Sequence, residues 1–334
     1  MRFGTVLQSE GHRSAVVESD AGWHPIPGVA VLDLVRSGLA EAIAIGSRAI
    51  QQETVLPDEG LVFDAPLQPT TIRDFVTFAE HVEGVRASMQ GESGVPDAWY
   101  DAPHFYFTNP HTISGPNAAV TIPDRCEQLD FELEVAAVIG RAGSDLSVKE
   151  AGEHIFGYTI LNDWSARDIQ RREMQVGLGP AKGKDFANTI GPVLVTADEF
   201  DDRTDAEGFL ALGCVAEVNG VEVGRDVLQN MGWTFPAMIA YASRNSRVEP
   251  GDVLGSGTMG NGGCLAELWG RRGRLDPPPL QPGDSVTLTV EGIGTLSNTV
   301  VGRSGAAPGV PAARRARDRD ALRAAHFAAS TVPG

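Results

Sequence analysis

The 334-residue sequence has few cysteines, no long apolar run and no excess of positive charge. Cys126, Cys214 and Cys264 are widely spaced, which argues against a disulfide framework or a zinc knuckle and fits a reducing cytoplasm. No stretch reaches the roughly 18 apolar residues that a membrane span requires, and the N-terminus lacks a secretory signal. The formal net charge of −17 disfavours nucleic acid as a partner. We therefore expect a cytoplasmic protein that binds neither membranes nor nucleic acid.

Turn-forming residues are abundant. The chain has 39 glycines and 21 prolines, which with many short strand-like segments favour a strand-dominated α+β fold. Short strands and a helix in residues 1–68 predict a small N-terminal α+β domain, and residues 69–304 predict a larger catalytic domain. The spacing of Phe75, Phe78 and Val82 predicts a helix over residues 74–90. The alanine- and arginine-rich residues 305–334 predict a helical or disordered tail.

Two glutamates interrupt a run that otherwise has the pattern of a buried strand, DFELEVAAVIG (residues 130–140). Residues two apart in a strand share a face, so Glu132 and Glu134 point the same way. Two carboxylates buried side by side repel each other and lose hydration, and a divalent cation would remove both penalties. The alternative is a half-exposed edge strand whose acids face water.

A second apolar strand ends in an acid. In GYTILNDWSARDIQ (residues 157–170) the polar run starts at the end of the strand, where Asp163 stands. An acid just beyond a buried strand is well placed to complete a cation site with Glu132 and Glu134.

These segments, with GLGPAKGKDFANTIGPVLVT and GDVLGSGTMGNG further along, resemble the fumarylacetoacetate hydrolase family in order and spacing. The resemblance runs from about Thr70 to Arg303. It implies a mixed β-sandwich or β-roll catalytic domain behind a small N-terminal domain, and commonly a homodimer.

The resemblance also implies a set of metal ligands. In the family a Glu-x-Glu pair and a later Asp bind Mg²⁺, with Ca²⁺ or Mn²⁺ as substitutes, and here these positions are Glu132, Glu134 and Asp163. Members close to the fumarylacetoacetate enzyme add an acid seven residues before a catalytic histidine. RDFVTFAEH places Asp74 and His81 at that separation.

The catalytic residues implied by the resemblance are His81 as general base, Glu267 as the carboxylate that orients it, and Lys184 as a contact to substrate oxygen. Glu80 and Glu83 are local alternatives for the orienting carboxylate. For Lys184 the alternative is an ordinary solvated loop lysine.

The substrate contacts implied by the motifs are Gln170 and Thr258. Met174 stands where the fumarylacetoacetate enzyme has a tyrosine, and the family's substrate-binding arginine has no counterpart in register, although Arg86 is near. These departures put fumarylacetoacetate itself in doubt as the substrate.

The resemblance implies a metal-dependent hydrolase that cleaves a carbon–carbon bond in a β-diketone or acylpyruvate-type small molecule through a metal-bound enolate. The alternative is a decarboxylase, hydratase or isomerase of 2-oxo acids on the same scaffold. A non-catalytic binding protein is a third hypothesis, which the full set of acids, His81, Glu267 and Lys184 disfavours.

Overall fold

A computed structural model describes residues 1–7, 11–57, 59–314 and 318–328. The strands are β1 (Arg2–Leu7), β2 (Arg13–Ser19), β3 (Gly22–Ile26), β4 (Val62–Asp64), β5 (Ile72–Phe75), β6 (Phe105–Thr108), β7 (Ile113–Ser114), β8 (Ala119–Thr121), β9 (Leu129–Asp130), β10 (Leu133–Ile139), β11 (Ile155–Asp163), β12 (Ser165–Ala166), β13 (Asn188–Thr196), β14 (Gly213–Val218), β15 (Val221–Val227), β16 (Val253–Gly255), β17 (Ser285–Val290) and β18 (Gly294–Val301). The helices are α1 (Val31–Ser37), α2 (Leu39–Gln51), α3 (Ala79–Gln90), α4 (Val148–Ala151), α5 (Arg167–Met174), α6 (Phe235–Ser243), α7 (Leu265–Arg272) and α8 (Arg319–Ala328). The expected α+β, strand-dominated fold is confirmed.

The main sheet runs in the order β3-β2-β1-β13-β11-β10-β16-β5-β6, with β4 beside β1 and β7 beside β13. A second sheet has the order β15-β14-β17-β18-β8. Strand β1 pairs antiparallel with β13, so the N-terminal strands extend the sheet that contains β10, the strand of Glu134.

Residues Met1–Arg303 form one compact unit by their contacts, and Ser304–Gly334 form another, which contains α8. The division at residue 68 stays a proposal, as does the boundary at 304.

Both faces of the central strands are covered, as the apolar residues 135–139 predict. One face of β10, with Ala136 and Val138, packs with Leu34 and Val35 of α1. The other face packs in a core that includes α6, α7 and the second sheet. Because both layers exclude water, polar groups in the middle of the sheet require partners inside the protein.

The helix predicted over residues 74–90 is wrong at its start. Residues 72–75 form β5, which pairs in parallel with β16 and antiparallel with β6, and α3 begins only at Ala79. Asp74 is paired with Gly255 on one side and Tyr106 on the other, which satisfies its backbone more fully than a first helical turn would. None of the helices in the described ranges is long and apolar enough to cross a bilayer.

Candidate active site

Four acidic side chains converge because β11 and β10 are neighbours in the main sheet and only β16 separates β10 from β5. Asp74 is on β5, Glu134 is on β10, Asp163 ends β11, and Glu132 lies directly before β10. All four are at most 3% exposed. Oxygen atoms of Asp74, Glu132 and Glu134 lie within 4.8 Å of one another. The alternative of an edge strand with acids in water is therefore excluded.

Gly255 allows two of these acids to meet across an intervening strand. It lies on β16, between β5 and β10, in register with Asp74. A Cβ atom at Gly255 would stand 2.6 Å from Oε2 of Glu134 and 2.9 Å from Oδ1 of Asp74. The backbone N–H of Gly257 donates to Oε2 of Glu134 at 3.1 Å, and Thr258 Oγ1 lies 3.5 Å from its Oε1. Only a glycine fits at this approach.

Two cations compensate Glu132. Nζ of Lys184 donates to Glu132 and, at 2.5 Å, to Asp163, and Nη2 of Arg167 donates to Glu132 at 2.6 Å. Burial by itself would raise the pKa of Glu132, but Lys184 and Arg167 hold it well below its ordinary value. Glu132 is therefore ionised throughout the physiological range.

Asp163 shares Lys184 with Glu132, whereas no cationic side chain among the described residues donates to Asp74 or Glu134. Burial raises the pKa values of Asp74, Glu134 and Asp163, and the neighbouring Asp74 carboxylate raises that of Glu134 further. Oδ1 of Asp74 and Oδ1 of Asp163 are buried with no hydrogen-bond partner among the described residues. Carboxylate oxygens that face one another in this way are the donors that hard divalent cations prefer. The residues fit a divalent cation, because buried negative charge exceeds what the protein's own cations neutralise.

His81, on α3, reaches the same acids. Its Nε2 lies 3.8 Å from Oε1 of Glu132, and its Nδ1 lies 3.6 Å from Sγ of Cys264. Burial lowers the pKa of His81 to about 4, against the opposing effect of Glu132. The imidazole is therefore neutral near pH 7, which is the form that a general base must have.

The structure does not bring the predicted carboxylate to His81. Glu267 forms an ion pair with Arg271 at 2.8 Å, and among the described residues no hydrogen bond joins its side chain to His81. Nδ1 of His81 faces the thiol of Cys264 instead. Of the local alternatives, Glu80 accepts a hydrogen bond from Asn230 at 3.1 Å. The orienting role of Glu267 stays a prediction.

A cavity of about 290 Å³ opens on the acids, and it is lined by Gln170, Met174 and Thr258 among others. Three of the four predicted substrate contacts therefore lie on its wall. Arg86 does not line it, because its guanidinium donates to the carbonyl of Gly94 at 2.6 Å. A second cavity of about 210 Å³, beside the N-terminal strands, has no acidic side chain in its wall.

From the sequence, three contributors were given no role in the acid cluster: Arg167, Asp130 and Tyr106. Arg167 is 1% exposed and joins Glu132 to Asp130, whose Oδ2 accepts from its Nε at 2.8 Å. The hydroxyl of Tyr106, on β6, donates to Asp163. Two of the three could have been found from the sequence. Asp130 precedes Glu132 by two residues, and Arg167 lies in the motif that contains Asp163.

The chain is similar to known proteins in both sequence and fold. The model of the fumarylacetoacetate (FAA) hydrolase C-terminal family matches residues 70–301. The oxaloacetate tautomerase YisK of Bacillus subtilis is 30% identical over 237 residues, which is 71% of this chain and 72% of that protein. A 5-carboxymethyl-2-hydroxymuconate delta-isomerase from Mycobacterium smegmatis superposes with a TM-score of 0.65 at 27% identity, over 91% of this chain and all of that one. A maleylpyruvate hydrolase from Sphingobium sp. SYK-6, solved with manganese(II) and pyruvate, shares the fold at a TM-score of 0.67 and 20% identity, with 91% and 100% coverage.

Proposed function

Since the chain belongs to the fumarylacetoacetate hydrolase family, we propose that it is a divalent-metal-dependent enzyme that hydrolyses a carbon–carbon bond in a β-diketone or acylpyruvate-type substrate. The observation that carries this proposal is the position of His81, whose Nε2 lies 3.8 Å from the acid cluster in the wall of the cavity. A proton acceptor beside a cluster of metal-binding acids is the minimum that hydrolysis of a carbonyl compound needs.

Asp74, Glu132, Glu134 and Asp163 would hold the cation, which we expect to be Mg²⁺, with Mn²⁺ or Ca²⁺ as substitutes. When bound, such a cation supplies Lewis-acid polarisation of substrate oxygens.

In this proposal His81 removes a proton from water and holds it at Nε2 while the water oxygen adds to a substrate carbonyl. The bond to the neighbouring carbon then breaks, and its electron pair leaves with the departing fragment as an enolate. Nζ of Lys184 donates two of its three hydrogens to Glu132 and Asp163, and in this proposal the third hydrogen donates to a substrate oxygen. Oε1 of Gln170 accepts from Nη1 of Arg167 at 3.1 Å, which leaves the Gln170 amide hydrogens to donate into the cavity.

A second candidate function is isomerisation or tautomerisation of a 2-oxo acid. From the sequence, the alternative to a hydrolase was a decarboxylase, hydratase or isomerase of 2-oxo acids. The missing hydrogen bond between Glu267 and His81 favours this second candidate, because moving one proton needs one base and no oriented pair. Two of the similar proteins are named as a tautomerase and an isomerase.

Product analysis separates the two candidates. Wild-type protein with Mg²⁺ or Mn²⁺ would be incubated with 2,4-dioxopentanoate and, separately, with oxaloacetate, and followed by proton NMR. Hydrolysis yields pyruvate and acetate from the first compound, whereas tautomerisation changes only the keto–enol exchange rate of either compound. Failure to accelerate any reaction of these or longer 2,4-dioxo acids in the presence of metal would refute the proposed function. The homodimer remains an expectation.

A further inference from the structure

We propose that this cavity takes 2-oxo acids or diketones whose remote substituent is uncharged and apolar, and that it excludes those with a second carboxylate there. The inference rests on the proposed function and adds the chemical class of the substituent. It depends on two observations. The cavity wall beyond the acids is mostly apolar, and the positively charged side chains of the wall, Lys184 and Arg167, already donate to acids of the protein.

The wall beyond the acids is mostly hydrocarbon. Six apolar residues contribute to it: Phe75, Val76, Val85, Phe105, Met174 and Pro180. They come from the end of β5 and the residue after it, α3, β6, the last residue of α5 and the loop that follows. A cavity of about 290 Å³ is at the small end for ligand sites, so the substituent must touch these side chains.

Lys184 and Arg167, the two side chains of the wall that are positively charged at neutral pH, donate hydrogen bonds to acids of the protein. Lys184 is 3% exposed and donates to both Glu132 and Asp163. Arg167 is 1% exposed and donates to Asp130, Glu132 and Gln170. Of the other lining residues, His104 contacts the carbonyl of Ala98 at 3.0 Å.

A remote carboxylate would therefore enter an apolar wall whose permanent cations already have partners. A carboxylate that loses water without gaining a partner is strongly disfavoured.

Along helix α5, the residues that line the cavity change from charged to polar to apolar. Arg167, Gln170 and Met174 are spaced by three and four residues, so they share one face of the helix. Arg167 contacts the acids, Gln170 follows it, and Met174 ends the helix and is 43% exposed. Met174 is therefore the specificity-determining residue that the remote part of the substrate meets.

The first test is a kinetic comparison of two substrate series. One series consists of 2,4-dioxo acids with straight alkyl substituents of one, three and five carbons, and the other consists of compounds of the same lengths that end in a carboxylate. With wild-type protein and Mn²⁺, we expect kcat/KM to rise about fourfold per buried methylene in the alkyl series. The carboxylate series should react at least about 100-fold more slowly at equal length.

Variants at one position link this preference to Met174. Met174→Arg should raise kcat/KM for the carboxylate series about tenfold or more relative to the alkyl series, and Met174→Glu should lower it. The matched control is Val176→Arg, which adds the same charge two residues away at a side chain that is 73% exposed and does not line the cavity. It should leave the ratio of the two series unchanged.

Binding of non-cleavable analogues separates failure of this inference from failure of the proposed function. Calorimetry with Mn²⁺ would compare N-propyloxamate with N-(2-carboxyethyl)oxamate. Tighter binding of the propyl compound supports the inference even when no substrate is turned over. Equal or tighter binding of the carboxyethyl compound overturns it, as does a wild-type kcat/KM that favours the carboxylate series.

Discussion

The ammonium nitrogen of Lys184 lies 2.5 Å from Oδ2 of Asp163, so a protein cation already occupies one side of the acid cluster. Burial by itself would lower the pKa of Lys184, but Asp163 and Glu132 raise it, and the side chain stays charged. On the opposite side of the cluster, no cation among the described residues pairs with Asp74 or Glu134, and metal binding should depend most on these two residues.

Replacing Glu134 should remove the stabilisation that a metal provides. At about 100 times its dissociation constant, a bound cation raises the free energy of unfolding of wild-type protein by about 2.7 kcal/mol. Glu134→Gln should lose most of this gain, measured by urea denaturation with Mn²⁺ and with EDTA. Glu153→Gln, at an exposed residue that pairs with Arg141 at 3.8 Å, should keep it. An undiminished gain in Glu134→Gln would contradict the assignment of ligands.

A methyl group at Gly255 should weaken metal binding without removing any ligand. The added carbon would stand 2.6 Å from Glu134 and 2.9 Å from Asp74, so the carboxylates must separate. Gly255→Ala should raise the dissociation constant for Mn²⁺ by about tenfold or more, measured by calorimetry. In the control Gly302→Ala, the nearest atom to the new carbon is 3.5 Å away on Pro282, and its affinity should equal that of wild type.

Removing the imidazole of His81 should separate catalysis from metal binding. His81→Ala should lower kcat by about 10²- to 10⁴-fold, because the proton acceptor is lost. Stabilisation by Mn²⁺ should persist, because the acids remain. His111→Ala, at an exposed side chain, serves as the control. A kcat equal to that of wild type would show that another group takes the proton.

Arg167 should be among the most sensitive positions for stability. Its side chain is buried between Asp130 and Glu132, so Arg167→Met leaves Asp130 without its cation and Glu132 with Lys184 alone. The expected loss in the free energy of unfolding is about 3–5 kcal/mol, measured by urea denaturation. Arg171→Met removes one partly buried hydrogen bond to Gln128 and should cost about 1 kcal/mol or less. Equal losses in the two variants would mean that the buried ion pairs add nothing.

Glu267 should make stability fall as pH rises. Burial raises its pKa from 4.5 to about 7, so its contribution is complete below pH 4.5 and is lost as the pH rises through about 7. Between those values wild-type protein should lose up to roughly 3 kcal/mol of unfolding free energy that Glu267→Gln retains. Denaturation at several pH values, with Glu83→Gln on the exposed side of α3 as the control, measures the difference. Parallel pH profiles for wild type and Glu267→Gln would refute the prediction.

The acid cluster could be predicted because its signal is local. Alternation along residues 130–140 places Glu132 and Glu134 on one face, and the apolar neighbours predict that the strand is buried. The start of the helix at 74–90 could not be predicted in this way. Phe75 and Phe78 fit a helical spacing, but pairing of β5 with β16 and β6 decided the strand, and those partners are distant in sequence.

The sequence by itself determined the family, the strand-dominated fold and the acids that gather at one point. The alternation of apolar and polar residues and the spacing within motifs involve only residues that are near one another in the chain. Tertiary structure alone decided that Gly255 lies between Asp74 and Glu134 and lets them meet, and that Cys264 faces His81. These contacts join segments more than a hundred residues apart. Their distances follow from sheet order and packing, which no local pattern encodes.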